Sequence, residues 1–204
     1  KPEFDERHEV TAVAYRQQGQ NVIVGTADGH FALVHLDYHM AQSDGGGQQV
    51  QADVQVKPFF QFAPEQARVR QIAYGDSGTA KLVAAICEVD GRVEVHAATL
   101  SEKRTLLGKG ATRIGSKFNL TSELHGNPVA LLVSSVADGV LVATDTGELD
   151  YFFLSGDELK RRQQFQPFAD LADKRIAEFN FIFGDVSFVA TSVTGETRVF
   201  SLFV

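Results

Sequence analysis

The chain has no tryptophan, one cysteine, one methionine and five prolines among 204 residues. A lone cysteine cannot close an internal disulfide, so a disulfide-framed mini-domain is excluded and the redox compartment stays open. Cys87 stands in the apolar run Leu82–Val89, the setting of a small buried hydrophobe rather than a reactive thiol. No apolar run nears the ~20 residues that a bilayer-spanning helix needs; Val129–Val136 is among the longest. No signal-peptide pattern stands at the start. The chain opens on Lys1-Pro2-Glu3 without methionine, as expected of a processed chain or a fragment of a larger protein. Positive charge is short too. A net charge of −7 argues against nucleic acid or an anionic membrane surface as the main partner. No long stretch carries the 3.6-residue apolar period of an amphipathic helix; one helical turn in Pro167–Ile176 is the most expected.

A chain of this length buries roughly 70% of its unfolded surface and needs no staples. Sixteen phenylalanines supply the aromatic part of its core. The organising stretch is Val10–Leu36, VTAVAYRQQGQNVIVGTADGHFALVHL. Apolar residues alternate in Val10–Tyr15 and Phe31–Leu36, Val22-Ile23-Val24 lies between, and turns are expected at Arg16–Gln20 and Ala27–Gly29. Period-2 runs bounded by Gly, Asp and Gln clusters mark antiparallel strands, and Asp-Gly is a strong hairpin signal. The pattern recurs at Val69–Ala98, Val129–Leu154 and Ile176–Leu202. Ala14-Tyr15 falls on Ala73-Tyr74 and Asp28-Gly29 on Asp90-Gly91. Ala143-Thr144 and Ala190-Thr191 precede the second turn of their units as Gly25-Thr26 does in the first. The units begin at 10, 69, 129 and 176, spacings of 59, 60 and 47 residues. Gln48–Phe62, Ala111–Leu120 and Glu158–Phe168 read as one connecting strand each, and Ser43–Gly47 as a loop. Four strands per unit at this period is the mark of propeller blades.

Motifs that could carry chemistry read mostly as turns. Gly75-Asp76-Ser77-Gly78 copies the tetrapeptide around a serine-protease nucleophile, but the repeat places it at a strand-to-strand turn. Gly110–Lys117 imitates a phosphate-binding loop, yet its lysine does not follow the second glycine and no strand-to-helix context exists. Lys103, Arg104, Lys109, Arg113 and Lys117 form a basic cluster, expected as a solvated rim or an anion- or partner-binding patch. His35 and His39 are four apart, a metal spacing on a helix but not on a strand. Lys160-Arg161-Arg162 reads as a solvated run, and Asn119-Leu120-Thr121 as a chance glycosylation triplet. Asp28, Asp90, Asp138, Asp145 and Asp185 stand at turns, where carboxylates cap the backbone. No catalytic pair, metal set or cofactor fingerprint stands out.

Val10-Thr11-Ala12-Val13-Ala14-Tyr15 and Gly25-Thr26-Ala27-Asp28-Gly29 resemble the opening strand and second turn of a degenerate WD40-type β-propeller. No Trp-Asp pair ends any unit and no Gly-His dipeptide starts one, so the stacked polar network that those motifs build in that family is expected to be absent. The pairing of VTAVAY with VGTADG also resembles the periplasmic insertion of the long-form phosphate ABC transporter permeases of proteobacteria. That resemblance implies a non-catalytic binding or regulatory domain on the periplasmic side of the inner membrane, with transporter subunits as partners. Alternatives are a protein-interaction propeller of an envelope assembly factor and a propeller-type hydrolase or lyase.

The expected fold is all-β, antiparallel and β-propeller-like: a partial or irregular propeller forming a single domain over residues 1–204. Its four blade-sized repeats fall near 10–36, 69–98, 129–154 and 176–202. Exposed blade edges lead us to expect a homodimer or another covering partner.

Overall fold

The computed structural model describes residues 8–15, 21–42, 46–103 and 111–202. Its strands form four separate antiparallel sheets, each in up-and-down order. Blade 1 holds β1 (Val10–Tyr15), β2 (Asn21–Thr26), β3 (Phe31–Gln42) and β4 (Gln48–Val56). Blade 2 holds β5 (Arg68–Asp76), β6 (Lys81–Val89), β7 (Arg92–Lys103) and β8 (Ala111–Asn119). Blade 3 holds β9 (Pro128–Val133), β10 (Gly139–Thr144), β11 (Leu149–Ser155) and β12 (Glu158–Phe165). Blade 4 has three strands among the described residues: β13 (Ile176–Ile182), β14 (Ser187–Ser192) and β15 (Thr197–Ser201). The all-β, propeller-like expectation holds, and the repeated triplets are the first three strands of each blade.

The helical turn expected within Pro167–Ile176 does not form. Phe168 is buried there, and successive backbone turns carry the chain instead, with Ala169 N donating to Gln166 O and Leu171 N to Phe168 O. Among the described residues the only helical element is a 3₁₀ turn at Thr121–Glu123. The expected turn at Arg16–Gln20 and the centre of the Ser43–Gly47 loop lie outside the described residues.

Three cores join the blades face to face. Ile23, Phe31 and Leu33 of blade 1 meet Val69, Ile72, Val83 and Ala85 of blade 2, with Phe60 and Phe62 of the connecting segment between them. Phe31 stacks on Phe62 with ring centres 4.1 Å apart. Leu82, Ala84, Ile86 and Val95 of blade 2 meet Leu131, Val140, Val142 and Phe152 of blade 3. Leu141, Leu149 and Tyr151 of blade 3 meet Phe179, Phe188 and Ala190 of blade 4. No buried core joins blade 4 back to blade 1 among the described residues, so the blades make an open arc. Each buried Phe or Leu contributes about 1.5–3 kcal/mol through loss of apolar surface to water.

The first strands of blades 1, 2 and 3 touch from blade to blade. Thr11 Oγ1 of β1 donates to Val69 O of β5 at 2.6 Å, and Gln71 Nε2 of β5 donates to Leu131 O of β9 at 3.3 Å. Central strands record how many faces are covered. All six residues of β10 are buried, because blade 3 is sandwiched on both sides. Blade 4 instead alternates: Phe188 and Ala190 point into the core while Val189 and Thr191 do not. Gly75 marks a close approach between blades 2 and 3. A Cβ there would strike the backbone oxygen of Ser134, so only glycine fits.

Candidate functional site

One end of the arc gathers the second turn of each unit and the segment entering the next first strand. The turn is built alike in blades 1, 3 and 4 around a buried hydroxyl: Thr26, Thr144 and Ser192. Their backbone N–H groups donate to His30 O, Glu148 O and Glu196 O at 3.0, 3.0 and 2.8 Å. The next residue of each turn donates to the incoming segment: Ala27 N to Glu9 O, Asp145 N to Asn127 O, and Val193 N to Arg175 O. In blade 4 the equivalent of Thr26 is thus Ser192, one residue beyond the Ala190-Thr191 pair. Asp90-Gly91 of blade 2 is a different turn. Both residues have positive φ, 48° and 74°, the mark of a tight two-residue hairpin. Sequence matching equated it with Asp28-Gly29, where only Gly29 is left-handed, at 85°.

Blade 1 adds side chains that no other unit has. His8 Nδ1 lies 2.7 Å from Asp28 Oδ2, and His30 Nδ1 lies 3.1 Å from the same oxygen. Thr26 Oγ1 donates to Asp28 Oδ1 at 2.5 Å and accepts from His30 N at 2.9 Å. Phe59 closes one side, with its ring centre 4.6 Å from His8 and 6.2 Å from His30. Burial by itself would raise the Asp28 carboxyl. The hydrogen bonds from Thr26 and His8, with the charges of His30 and His8, outweigh it, and the group sits below the usual carboxylate range. The expectation that no stacked polar network would form is therefore corrected for this blade. The missing dipeptides are replaced by His8, two residues ahead of β1, and by a buried threonine. Sequence reading missed this cluster because His8 and Asp28 are twenty positions apart and only the Ala27 N to Glu9 O bond brings them together.

The other motifs resolve as structure. Asp76 ends β5 and accepts from Lys81 Nζ at 2.5 Å, Tyr74 Oη at 3.0 Å and Gly78 N at 2.8 Å. Burial pushes its carboxyl up, but these donors and the Lys81 charge win and hold it low. Ser77 closes the turn with Ala80, its hydroxyl donating to Ala80 O and accepting from Ala80 N. Of the phosphate-loop imitation, Gly110 lies outside the described residues and Ala111–Lys117 is strand. Of the basic cluster, Arg104 and Lys109 lie outside the described residues, and Lys103 ends β7. Arg113 and Lys117 are exposed on the outer strand β8, but a bulge between them turns them to opposite faces: Arg113 pairs with Ser101 and Lys117 with Ala98, and their neighbours Ile114 and Phe118 pack into different cores. His35 Nδ1 pairs with Asn21 Oδ1 at 3.0 Å, while His39 stands 3.8 Å from Asp53, so the two do not share a ligand site. Arg161 is not a solvated charge. Its Nη1 donates to Glu123 O at 2.5 Å and lies 3.3 Å from Oδ1 of fully buried Asp150. Burial raises the Asp150 carboxyl despite that guanidinium.

Cys87 is buried, and burial with the nearby Glu94 charge pushes its thiol up to about 12. It stays a neutral core residue. The expected capping of their own turn backbones is not what Asp138, Asp145 and Asp185 do: Asp138 Oδ1 accepts from the Ser134 hydroxyl of its own turn, while Asp145 accepts from Asn127 and Asp185 from Ser135 N and Oγ at 2.6 Å, both on other segments. The last bonds tie the first turn of blade 3 to that of blade 4. A cleft of about 690 Å³ between the inner parts of blades 2 and 3 is lined by Arg70, Arg92, Glu94, Thr121, Asn127 and Val129.

The outward sheet face of blade 1 is apolar along its whole length. Register puts Val22 and Val24 beside Val34 and Ala32, then Val34 beside Val56, Leu36 beside Val54, Tyr38 beside Ala52 and Met40 beside Val50. Val24, Ala32 and Val34 form a small buried cluster with Phe59 packed on it. Beyond it the β3–β4 ribbon leaves Tyr38 55%, Met40 59% and Val50 66% exposed.

A comparison with protein families finds no match, and none is found among curated proteins. Among solved structures the chain is similar to the β-propeller domain of Myceliophteria thermophila Cps50 (Swd1), with a TM-score of 0.60 at 14% sequence identity. The match covers 96% of this chain and 52% of that one, so the chain spans about half the length of that propeller domain. The likeness shows a propeller-like fold. Nothing in these comparisons supports a phosphate-permease origin or a homodimer.

Proposed function

We propose that residues 1–204 form one propeller-like, non-catalytic protein-interaction module whose blade 1 docks a further antiparallel sheet. The observation that carries this reading is the apolar outward face of blade 1, buried around Val24, Ala32 and Val34, where Phe59 packs, and exposed along Tyr38, Met40, Val50 and Val54. On the side of blade 2 that the preceding blade covers, Val83, Ala85, Cys87 and Ala98 lie under blade 1. Val22, Val24, Ala32 and Val34 are the same kind of residues on the same kind of strands, with no blade over them among the described residues. The occupant is therefore a sheet with an apolar face, as one blade presents to the next. Coverage of about half of a solved propeller domain supports this choice, since that fold has blades to spare beyond an arc of this length.

Hydrogen exchange tests it. Amides of β4 and of Leu36–Gln42 in β3 are to be compared between the isolated chain and the full-length product of its gene. Slower exchange in the full-length protein supports the reading. Equal exchange overturns it. Protection that instead rises with the concentration of the isolated chain means that a second copy covers the face, which replaces the further blade with a homodimer.

The phosphate-permease reading, and with it a periplasmic location and transporter subunits as partners, rests on the VTAVAY and VGTADG resemblance. Membrane-spanning segments encoded on both sides of the arc would sustain it, and a lipoprotein signal would favour an envelope assembly factor. Arg113 and Lys117, exposed on opposite faces of the outer edge strand β8, are offered as a contact for an acidic partner that wraps that edge. Charge reversal at both should abolish that contact and leave the fold intact.

A further inference from the structure

We propose that His8, Asp28 and His30 form a binding site for a divalent first-row transition metal ion of the zinc class. His8 Nδ1, Asp28 Oδ2 and His30 Nδ1 all lie within 4.8 Å of one another. Ligand atoms of a tetrahedral zinc centre, bonded at about 2.0–2.2 Å, stand roughly 3.3 Å apart. The observed 2.7 and 3.1 Å separations from Asp28 Oδ2 are therefore within about half an ångström of that spacing. Two imidazoles and a carboxylate are borderline donors that suit zinc and its neighbours and not magnesium, which prefers an all-oxygen shell.

Three further features fit a built site. The first concerns His30 Nδ1, which is shielded from solvent and makes no hydrogen bond among the described residues, although a carboxylate oxygen is 3.1 Å away. A shielded ring nitrogen held so close to an anionic oxygen, outside hydrogen-bond geometry, is what a shared cation would satisfy. The second is an outer shell that orients the carboxylate. Buried Thr26 holds Asp28 Oδ1 at 2.5 Å and is itself fixed by His30 N, leaving Oδ2 to face the two rings. The third is placement: Ala27 N to Glu9 O, at 2.8 Å, pins the segment carrying His8 against the turn carrying Asp28 and His30. Phe59 shields one side, while side-chain exposures of 22%, 35% and 34% for His8, His30 and Asp28 leave a fourth position open to water or another ligand. Blades 3 and 4 have the same turn without the trio, with Thr146 and Thr194 where Asp28 stands and, in blade 3, a single His125 3.7 Å from Glu148, so the turn itself does not require two histidines and a carboxylate.

The test uses the chain with Zn²⁺ by isothermal titration calorimetry, Mg²⁺ as the control, and Co²⁺ as the spectroscopic probe. Expected are a single saturable Zn²⁺ site, no Mg²⁺ heat, and visible d–d bands for the Co²⁺ form. His30→Ala and His8→Ala should each weaken Zn²⁺ binding by at least about tenfold with unchanged circular dichroism. Nitrogen-15 spectra of the wild-type imidazoles keep the test decisive if a variant fails to fold, since Zn²⁺ must shift His8 and His30 and leave His96 alone. No Zn²⁺ heat, binding unchanged in both variants, or shifts confined to other histidines overturns the proposal.

Discussion

Blade 1 and blade 4 stand at the two ends of one arc, and their outward faces differ in kind. The face of blade 1 runs Val22, Val24, Ala32, Val34, Leu36, Tyr38, Met40, Val50, Val54 and Val56 without a charge. The face of blade 4 sets Glu178 beside Thr191, Asn180 beside Val189, Thr191 beside Thr197, and Val189 beside Val199. Thr191 and Thr197 hydroxyls share a hydrogen bond at 3.0 Å, and Asn180 Nδ2 donates to Glu178 at 2.9 Å. A polar face of this kind meets water without penalty. A long apolar one is an association surface. The central strands carry the same lesson. β2 has apolar residues on both faces like β6 and β10, the composition of a doubly covered strand, whereas β14 alternates.

The largest expected effect probes how blade 4 is held. If its stability comes through one face only, Phe188→Ala should cost about 3–5 kcal/mol by urea unfolding. Phe188 is fully buried and meets the Phe165 and Phe200 rings at centre distances of 4.9 and 5.0 Å. A loss under about 1 kcal/mol, well short of a buried-Phe cavity, would mean blade 4 does not depend on that contact and would break the comparison. Gly75→Ala follows at about 1–3 kcal/mol, because the added methyl meets backbone that cannot yield. It measures the seam between the two doubly covered blades.

Next come two carboxylates with opposite pH behaviour. Asp76 is held low in the folded chain, so its contribution is present above its unfolded value and fades as pH falls through the folded one. Asp76→Asn should cost about 1–2 kcal/mol near neutral pH, with the gap to wild type closing in acid. Asn21 Nδ2 of blade 1 lies 3.5 Å from Asp76, so the same variant reports how firmly blade 1 is tied to blade 2. Asp150 is raised by burial, so ionising it opposes folding as pH climbs past the ordinary carboxylate range. Asp150→Asn should therefore gain on wild type from acid towards neutral pH. Thermal melts over a pH series check both signs.

The smallest effects separate the two ends most directly. Val50→Lys and Val199→Lys should each change stability by less than about 0.5 kcal/mol, since both side chains are largely exposed. Only Val50→Lys should remove the exchange protection that covering blade 1 brings. Equal behaviour of the two variants would erase the distinction between the ends.

The strands were legible because pleat alternation and turn chemistry are local. Val10–Leu36 and its three echoes contain the first three strands of every blade, and the connecting strands fell where alternation resumed. The helical turn near Leu171 was misread because Asp and Lys flanking a short apolar segment cannot be told locally from a helix start, and burial of Phe168 decided the outcome. The basic cluster rests on proximity in sequence, yet a bulge in β8 between Arg113 and Lys117 turns the two to opposite faces of the blade. The histidine cluster left almost no local trace beyond a histidine two positions before β1. Arg161, set in a run of three cations, proved to be the partner of a buried carboxylate on a neighbouring strand.

By itself the sequence determined the repeated meander, its turns and the absence of a helical core, since these depend on neighbours a few residues apart. Which face is covered, why Gly75 must be glycine, and how His8 comes to stand beside Asp28 depend on contacts between segments distant in the chain. Only the packing of one blade on the next decided those.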